Sequence, residues 1–179
     1  MATNTMTDLY VEKLKDLYSA EQQILKALPK MAKAATHAAL RDAFETHRQQ
    51  TEGHVERLDQ IFEGLGKSPR GKLCRGVQGI IEEGADLMKE DPEGGILDAG
   101  LLAGAQSVEH YEMASYGSAR NWAQQLGYAE HADLLQQTLD EEKQTDELLT
   151  TLAVETVNRD AELAETPRRP SMTKHAARR

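Results

Sequence analysis

Glu21 falls between Tyr18 and Ile24 in a run of apolar residues spaced three and four apart. The same kind of interruption recurs at His47 and His54, at Glu109 and Glu112, and at Glu142 with Asp146 one turn later. Glu109 and Glu112 stand at i and i+3, so they share one helix face. Burying several carboxylates together is expensive, through desolvation and mutual repulsion. A divalent cation removes both penalties, and a set of carboxylates with imidazole suits iron or manganese, with zinc as a further choice. Taken singly, each residue has an ordinary explanation. A glutamate within a stripe often sits at its edge with the carboxylate in water, and a histidine between leucines is often a hydrogen-bonded core residue. The same interruption in four separate stripes sets an inter-helix metal site beside that explanation.

The elements that must position these groups are helices. The 179 residues include 39% hydrophobic but only 4% aromatic side chains and five prolines, a composition weighted toward Ala, Leu, Glu, Gln and Lys. The single cysteine, Cys74, excludes a disulfide framework and a cysteine-rich zinc site. No apolar stretch approaches the ~20 residues of a membrane span. Residues 1–8 lack the basic flank and apolar segment of a signal peptide, so a cytoplasmic protein is expected.

Thr5 and Asp8 form an N-cap pattern ahead of a first helix over 6–35, whose stripe runs through Leu14, Leu17, Glu21, Ile24, Leu28 and Met31 and which Pro29 should kink. Thr36 is the expected cap of a second helix that ends at Gly64-Leu65-Gly66. A short amphipathic stretch follows, with Leu73, Val77, Ile80, Ile81, Leu87 and Met88, closed by residues 91–95. Its apolar surface exceeds what a connector needs, and covering the open end of a bundle or a dimer contact are the alternatives to ordinary packing. A third long helix is expected over 96–122 and a fourth over 129–157. Two hairpins joined by a linker of roughly 25–30 residues give an all-α four-helix bundle in which the second and third long helices run parallel, the single-crossover topology of ferritin-like bundles. The domain reading is a helical bundle over 1–165 and a basic, disordered tail over 166–179.

That tail carries Arg168, Arg169, Lys174, Arg178 and Arg179 and no acid, so the formal net charge of −9 leaves about −14 on the body. Five charges without interleaved aromatics give weak, salt-sensitive nucleic-acid binding at best. Cys74 reads as a structural thiol, and His37 and His131 as surface residues near helix starts. His110 points about 100° away from Glu109, toward a partner or solvent. Tyr18, Tyr111 and Tyr116 lie near the carboxylates in sequence, as core phenols or as groups assisting redox chemistry. No phosphate-binding glycine loop, nucleophile elbow or dinucleotide fingerprint is present.

Di-iron bundles carry Glu-x-x-His on two helices. This chain has none; Thr51-x-x-His54 and Glu142-x-x-Thr145 stand in the corresponding places, which implies a depleted or rearranged shell, with one metal held well and a second more weakly.

Residues 16–23 (DLYSAEQQ) with 26–30 (KALPK), His47 and Thr51 with 56–61 (ERLDQI), 108–112 (VEHYE) with 114–117 (ASYG), and 138–146 (TLDEEKQTD) together resemble the YciE/YciF family of bacterial ferritin-like stress proteins. The similarity covers about residues 7–160. It implies a ferritin-like four-helix bundle with an extra short helix, a homodimer, and metal held between the helices by Glu21, His47, Glu109, Glu112 and Glu142. Relatives commonly carry Glu where this chain has Gln50, and Gln where it has His54. Gln50 is the weaker, neutral ligand, and His54 is the candidate to replace the lost contact.

The leading expectation is therefore a metal-binding stress protein, with di-iron or depleted di-iron reacting with peroxide or dioxygen as a peroxidase or oxidase. Glu109 or Glu142 would bridge, Glu21 and Glu112 would be terminal, and His47 or His54 would supply the imidazole. The alternatives are a metal-sequestering or DNA-protecting protein of miniferritin type, and a metal-free helical adaptor.

Overall fold

Thr5 and Asp8 start the first helix by a reciprocal cap: the Asp8 amide donates to Thr5 Oγ1 at 3.0 Å and the Thr5 amide to Asp8 Oδ2 at 3.1 Å. The computed structural model describes residues 3–165, so the basic tail at 166–179 lies outside the described residues. The helices are α1 (Met6–Ala34), α2 (Ala38–Gly64), α3 (Arg75–Glu90), α4 (Gly94–Gln125), α5 (Ala129–Leu152) and α6 (Asn158–Glu165), with a π-helical turn over Ala153–Val157 between the last two. α1 continues past Pro29 to Ala34.

The connection between α1 and α2 is three residues, so the two helices pack antiparallel, and Gly127, at φ +81°, turns α4 back on itself into α5. Residues 20–32 of α1 share a core with Leu97, Leu101, Leu102 and Ala105 of α4. Tyr10, Leu14 and Leu17 share another with Tyr116, Ala119 and Ala123. α1 therefore runs antiparallel to α4 as well as to α2, and α2 and α4 run parallel, as the length of the crossover requires. α3 lies over the seam between α1 and α4. It is not at the end of the bundle.

The two cores fill opposite halves of the bundle. Leu28, Leu40, Phe44, Leu101 and Leu149 anchor one; Tyr10, Leu14, Leu58, Phe62, Tyr116 and Leu135 anchor the other. The interrupted positions of all four long helices fall between them, so the fold delivers one polar layer at mid-height with apolar packing above and below.

Thr36 does not cap α2. The cap residue is His37, which makes no side-chain cap bond, while the Thr36 amide donates to Asp98 Oδ1 at 2.8 Å and the His37 amide to Asp98 Oδ2 at 2.9 Å. The Thr36 hydroxyl donates to the same carboxylate. A buried acid from the start of α4 thus binds the amides of the connection just ahead of α2 and ties the first hairpin to the second.

Asp98→Ala removes the acceptor for two amides and a hydroxyl, and is expected to destabilise the fold by about 2–4 kcal/mol in urea titration. Asp98→Asn, which keeps one acceptor oxygen, should recover part of that loss. An alanine variant within ~0.5 kcal/mol of the parent would show that the carboxylate does not hold the hairpins together.

Candidate metal centre

Glu21 of α1, His47 and His54 of α2, Glu109 and Glu112 of α4 and Glu142 of α5 are all buried and converge in the polar layer. The helical period explains this: each occupies a stripe position that its neighbours one turn away bury. His47, Glu109, Glu112 and Glu142 offer one ligand atom each within 4.8 Å of one another, and Glu21, His54 and Glu142 do the same. Glu142 belongs to both groups.

His47 Nε2 lies 3.3 Å from Glu109 Oε1 and 3.8 Å from Glu142 Oε2. His54 Nδ1 lies 3.1 Å from Glu142 Oε1 and 3.5 Å from Glu21 Oε1. Glu21 also accepts a hydrogen bond from the buried Tyr116 hydroxyl. Both imidazoles are aimed by their outer nitrogens. Thr145 Oγ1 donates to the Glu141 carbonyl at 3.1 Å, so it accepts from His47 Nδ1 at 3.3 Å, which leaves Nε2 facing the carboxylates. His54 Nε2 donates to Glu141 Oε2 at 2.9 Å, which turns Nδ1 inward. Arg57 grips Glu141 through Nη2 at 2.7 and 2.9 Å and reaches Thr138 Oγ1 through Nη1 at 2.7 Å.

The fit to a cation rests on unused atoms. Glu21 Oε2, His47 Nε2, His54 Nδ1, Glu109 Oε2 and both carboxylate oxygens of Glu112 and Glu142 are buried without a hydrogen-bond partner. Eight such atoms on six residues, all directed into one layer, form a lone-pair-rich cage of the composition that iron or manganese takes. Burial, followed by the neighbouring carboxylates, drives Glu109 and Glu112 well above the usual carboxylate range. Burial opposes the His54 cation, but Glu21, Glu141 and Glu142 outweigh it and push its pKa up to about 12. Glu142 is also penalised by burial, yet His54, 3.1 Å away, with the charge of His47, holds it down to about 2. Burial, together with the Glu21 charge, keeps Tyr116 a neutral phenol.

Gln50 stays outside both groups, its Oε1 lying 3.4 Å from Thr145 Oγ1. Asp146 is turned away, 3.3 Å from the exposed His110. Tyr18 packs edge-on against Phe62 with ring centroids 6.2 Å apart. Tyr111 donates to Asp16 Oδ2 at 3.0 Å, and the buried Cys74 thiol reaches the Tyr111 oxygen at 3.1 Å. His131 is no simple surface residue: it is half-buried and stacks on Tyr128 at 5.0 Å, and its Nδ1 shares a hydrogen bond with the Tyr10 hydroxyl at 3.3 Å. Sequence reading missed Glu141 and Arg57. The available signal was His54-x-x-Arg57, an i, i+3 pair, with Glu141 one residue before Glu142.

Two helical hairpins, a crossover helix and a carboxylate–histidine layer at mid-height define a ferritin-like helical bundle with a candidate metal centre. The chain belongs to the family described as a domain of unknown function, DUF892, which matches residues 5–162. It is 44% identical over 163 residues to Protein YciF of Escherichia coli (strain K12), covering 90% of this chain and 98% of that protein. The crystal structure of the E. coli stress protein YciF superposes with a TM-score of 0.84 at 42% identity, over 87% of this chain and 99% of that one. YcfI from Rhodopseudomonas palustris gives 0.81 at 42% identity, over 83% and 95%. A two-domain protein from Anabaena variabilis with a ferritin-like domain matches 98% of this chain and 43% of its own at a TM-score of 0.58 and 14% identity, a likeness of fold alone. No helix among the described residues is long and apolar enough to cross a membrane.

In chelator-treated protein, Glu109 and Glu112 hold protons when folded that they release, near 4.5, when unfolded. His54 holds its proton to about 12 against 6.5 in the unfolded chain. Folding then binds protons, so these three contributions are complete at low pH and fall away as pH rises through the folded pKa values. Glu142 acts oppositely, but only below about 4.5. The expected outcome is a Tm that declines from about pH 5 to about pH 9, with a shallower slope in Glu112→Gln. A Tm flat across that window in both proteins would contradict the protonation pattern.

Proposed function

We propose that this protein binds two divalent metal ions, iron foremost, between its four long helices and reacts with peroxide or dioxygen there. The observation that carries this reading is the set of eight buried, unpartnered ligand atoms. In this reading Glu142 bridges, because it alone belongs to both groups. His47, Glu109 and Glu112 complete the tighter position, and Glu21 and His54 complete a position with fewer protein ligands, which leaves room for a small oxidant. When bound, iron supplies the electrons that reduction of peroxide or dioxygen requires.

The chain's own residues do the remainder. Two apolar cores exclude bulk water and so strengthen every charge interaction in the layer. Thr145 fixes the His47 ring; Glu141 and Arg57 fix that of His54. The Tyr116 hydroxyl binds one oxygen of Glu21 and holds the only phenolic proton at the layer's edge among the contacts described. Where no cation is bound, a second proton on His54 takes its place between Glu21 and Glu142. That imidazolium favours a second reading, a metal-free bundle with His54 as its own counter-ion, but it leaves both oxygens of Glu112 unanswered.

Protein purified from iron-supplemented cells is expected to carry about two metal equivalents per chain by elemental analysis. Glu142→Gln should lose most of both, and Glu21→Gln mainly one. Substoichiometric metal, unchanged in Glu109→Gln and Glu142→Gln, would sink the proposal. Light scattering separates the family's expected homodimer from the large hollow assembly of a miniferritin.

A sign reversal gives a sharper measurement. Glu112→Gln removes the cost of keeping a buried carboxyl protonated at neutral pH, so the chelated protein should gain about 1–3 kcal/mol of stability. The same change should reduce the Tm increase produced by ferrous or manganous ion. A loss of stability in both conditions would assign Glu112 an ordinary structural role.

A further inference from the structure

Between α3 and the α1–α4 seam lies a cavity of about 250 Å³ that shares no residue with the carboxylate layer. It exceeds the ~150 Å³ engineered cavity that accepts benzene. α3 is pinned at both ends. Near its start, Gly76 lets the Tyr111 ring approach to where a Cβ would lie 2.5 Å away, and near its end Leu87 fills the space a Cβ on Gly100 would need, 2.2 Å away. Between the pins the helix stands off. The facing positions are Gly84 and Ala85 on α3, Gly104 on α4 and Ala27 on α1, and a Cβ at either glycine would meet nothing within 4 Å. Small side chains at matching heights on three helices make a slot.

The walls are Met31, Ile80, Ile81, Met88, Leu101 and Val108. On α3 the slot extends from Gln78 to Met88, on the order of 15 Å at the helical rise. A volume of that size over that length is narrow, suited to one alkyl chain and not to a fused ring system. Lys26 and Lys30, on successive turns of α1, stand at its rim, and neither has an ion-pair or hydrogen-bond partner among the described residues. Glu82 is at the same rim, but its carboxylate accepts from Gln78 Nε2 at 2.8 Å. A pair of unanswered cations beside an apolar slot, on a body otherwise near −14, matches an anionic head on an apolar tail.

We propose that this slot binds a linear carboxylate of medium chain length, its tail between α3 and the α1–α4 seam and its head on Lys26 and Lys30. Calorimetry on the full chain with hexanoate, octanoate, decanoate and decanol tests this. Saturable binding is expected to strengthen about three- to fourfold per added methylene. Gly104→Leu fills open space and improves helix propensity, so it should keep the parent's Tm while weakening decanoate at least about tenfold. The double variant Lys26→Gln/Lys30→Gln should still bind decanol as the parent does while losing its preference for decanoate. No saturable binding of any acid, or decanoate affinity unchanged in Gly104→Leu, overturns the proposal. A shift in oligomeric state caused by Gly104→Leu would also overturn it, by making the slot a contact between copies of this chain.

Discussion

The fold is organised around a shortage of hydrogen-bond donors. At mid-height four carboxylates and two imidazoles are removed from water, and the layer offers them Tyr116, Thr145, Glu141 with Arg57, and one another. Acceptors outnumber donors, and no rearrangement of side chains within the layer corrects that. Only protons or cations can. The two apolar cores, split above and below, are the geometric consequence: neither can extend through the layer, so each must be sufficient for its own half of the bundle.

The layer is also uneven. His47 is aimed by a neutral hydroxyl that is itself tied to the backbone of α5. His54 is aimed by a carboxylate that a guanidinium holds. The Glu141 carboxylate is kept below its usual range by His54 first and Arg57 next, so it is a charged anchor throughout the physiological range. The two imidazoles thus face the same carboxylate, Glu142, from differently held positions. This asymmetry belongs to a chain that carries His54 and lacks an acid at position 50.

Much of this was legible in the sequence because a helix repeats. Stripe positions are buried, and a polar residue on a stripe announces itself; all six cluster residues were visible for that reason. The length of the crossover likewise dictated that α2 and α4 run parallel. Residues at stripe edges carry no such mark. Glu141 and Arg57 look like two more surface charges until α2 and α5 are brought side by side. Thr36, expected to cap α2, instead gives its amide and hydroxyl to Asp98 because a contact between distant turns outweighed a local signal, and local signals are all that capping patterns contain. The slot under α3 was foreshadowed only by excess apolar surface on a short connector.

The π-helical turn at Ala153–Val157 bears on how the chain ends its described part. Leu149, Ala153, Val157 and Ala161 are all buried at successive intervals of four. In an α-helix each such step overshoots a full revolution by about 40°, so three steps would carry the last residue a third of the way round the rod. One wider coil takes up the overshoot. The last helix is thereby kept in phase, and Ala161 arrives where Gly95 is bare enough to receive it, since a Cβ there would lie 3.0 Å from the Ala161 Cα. A spacing of four held over several turns is thus a written instruction to unwind.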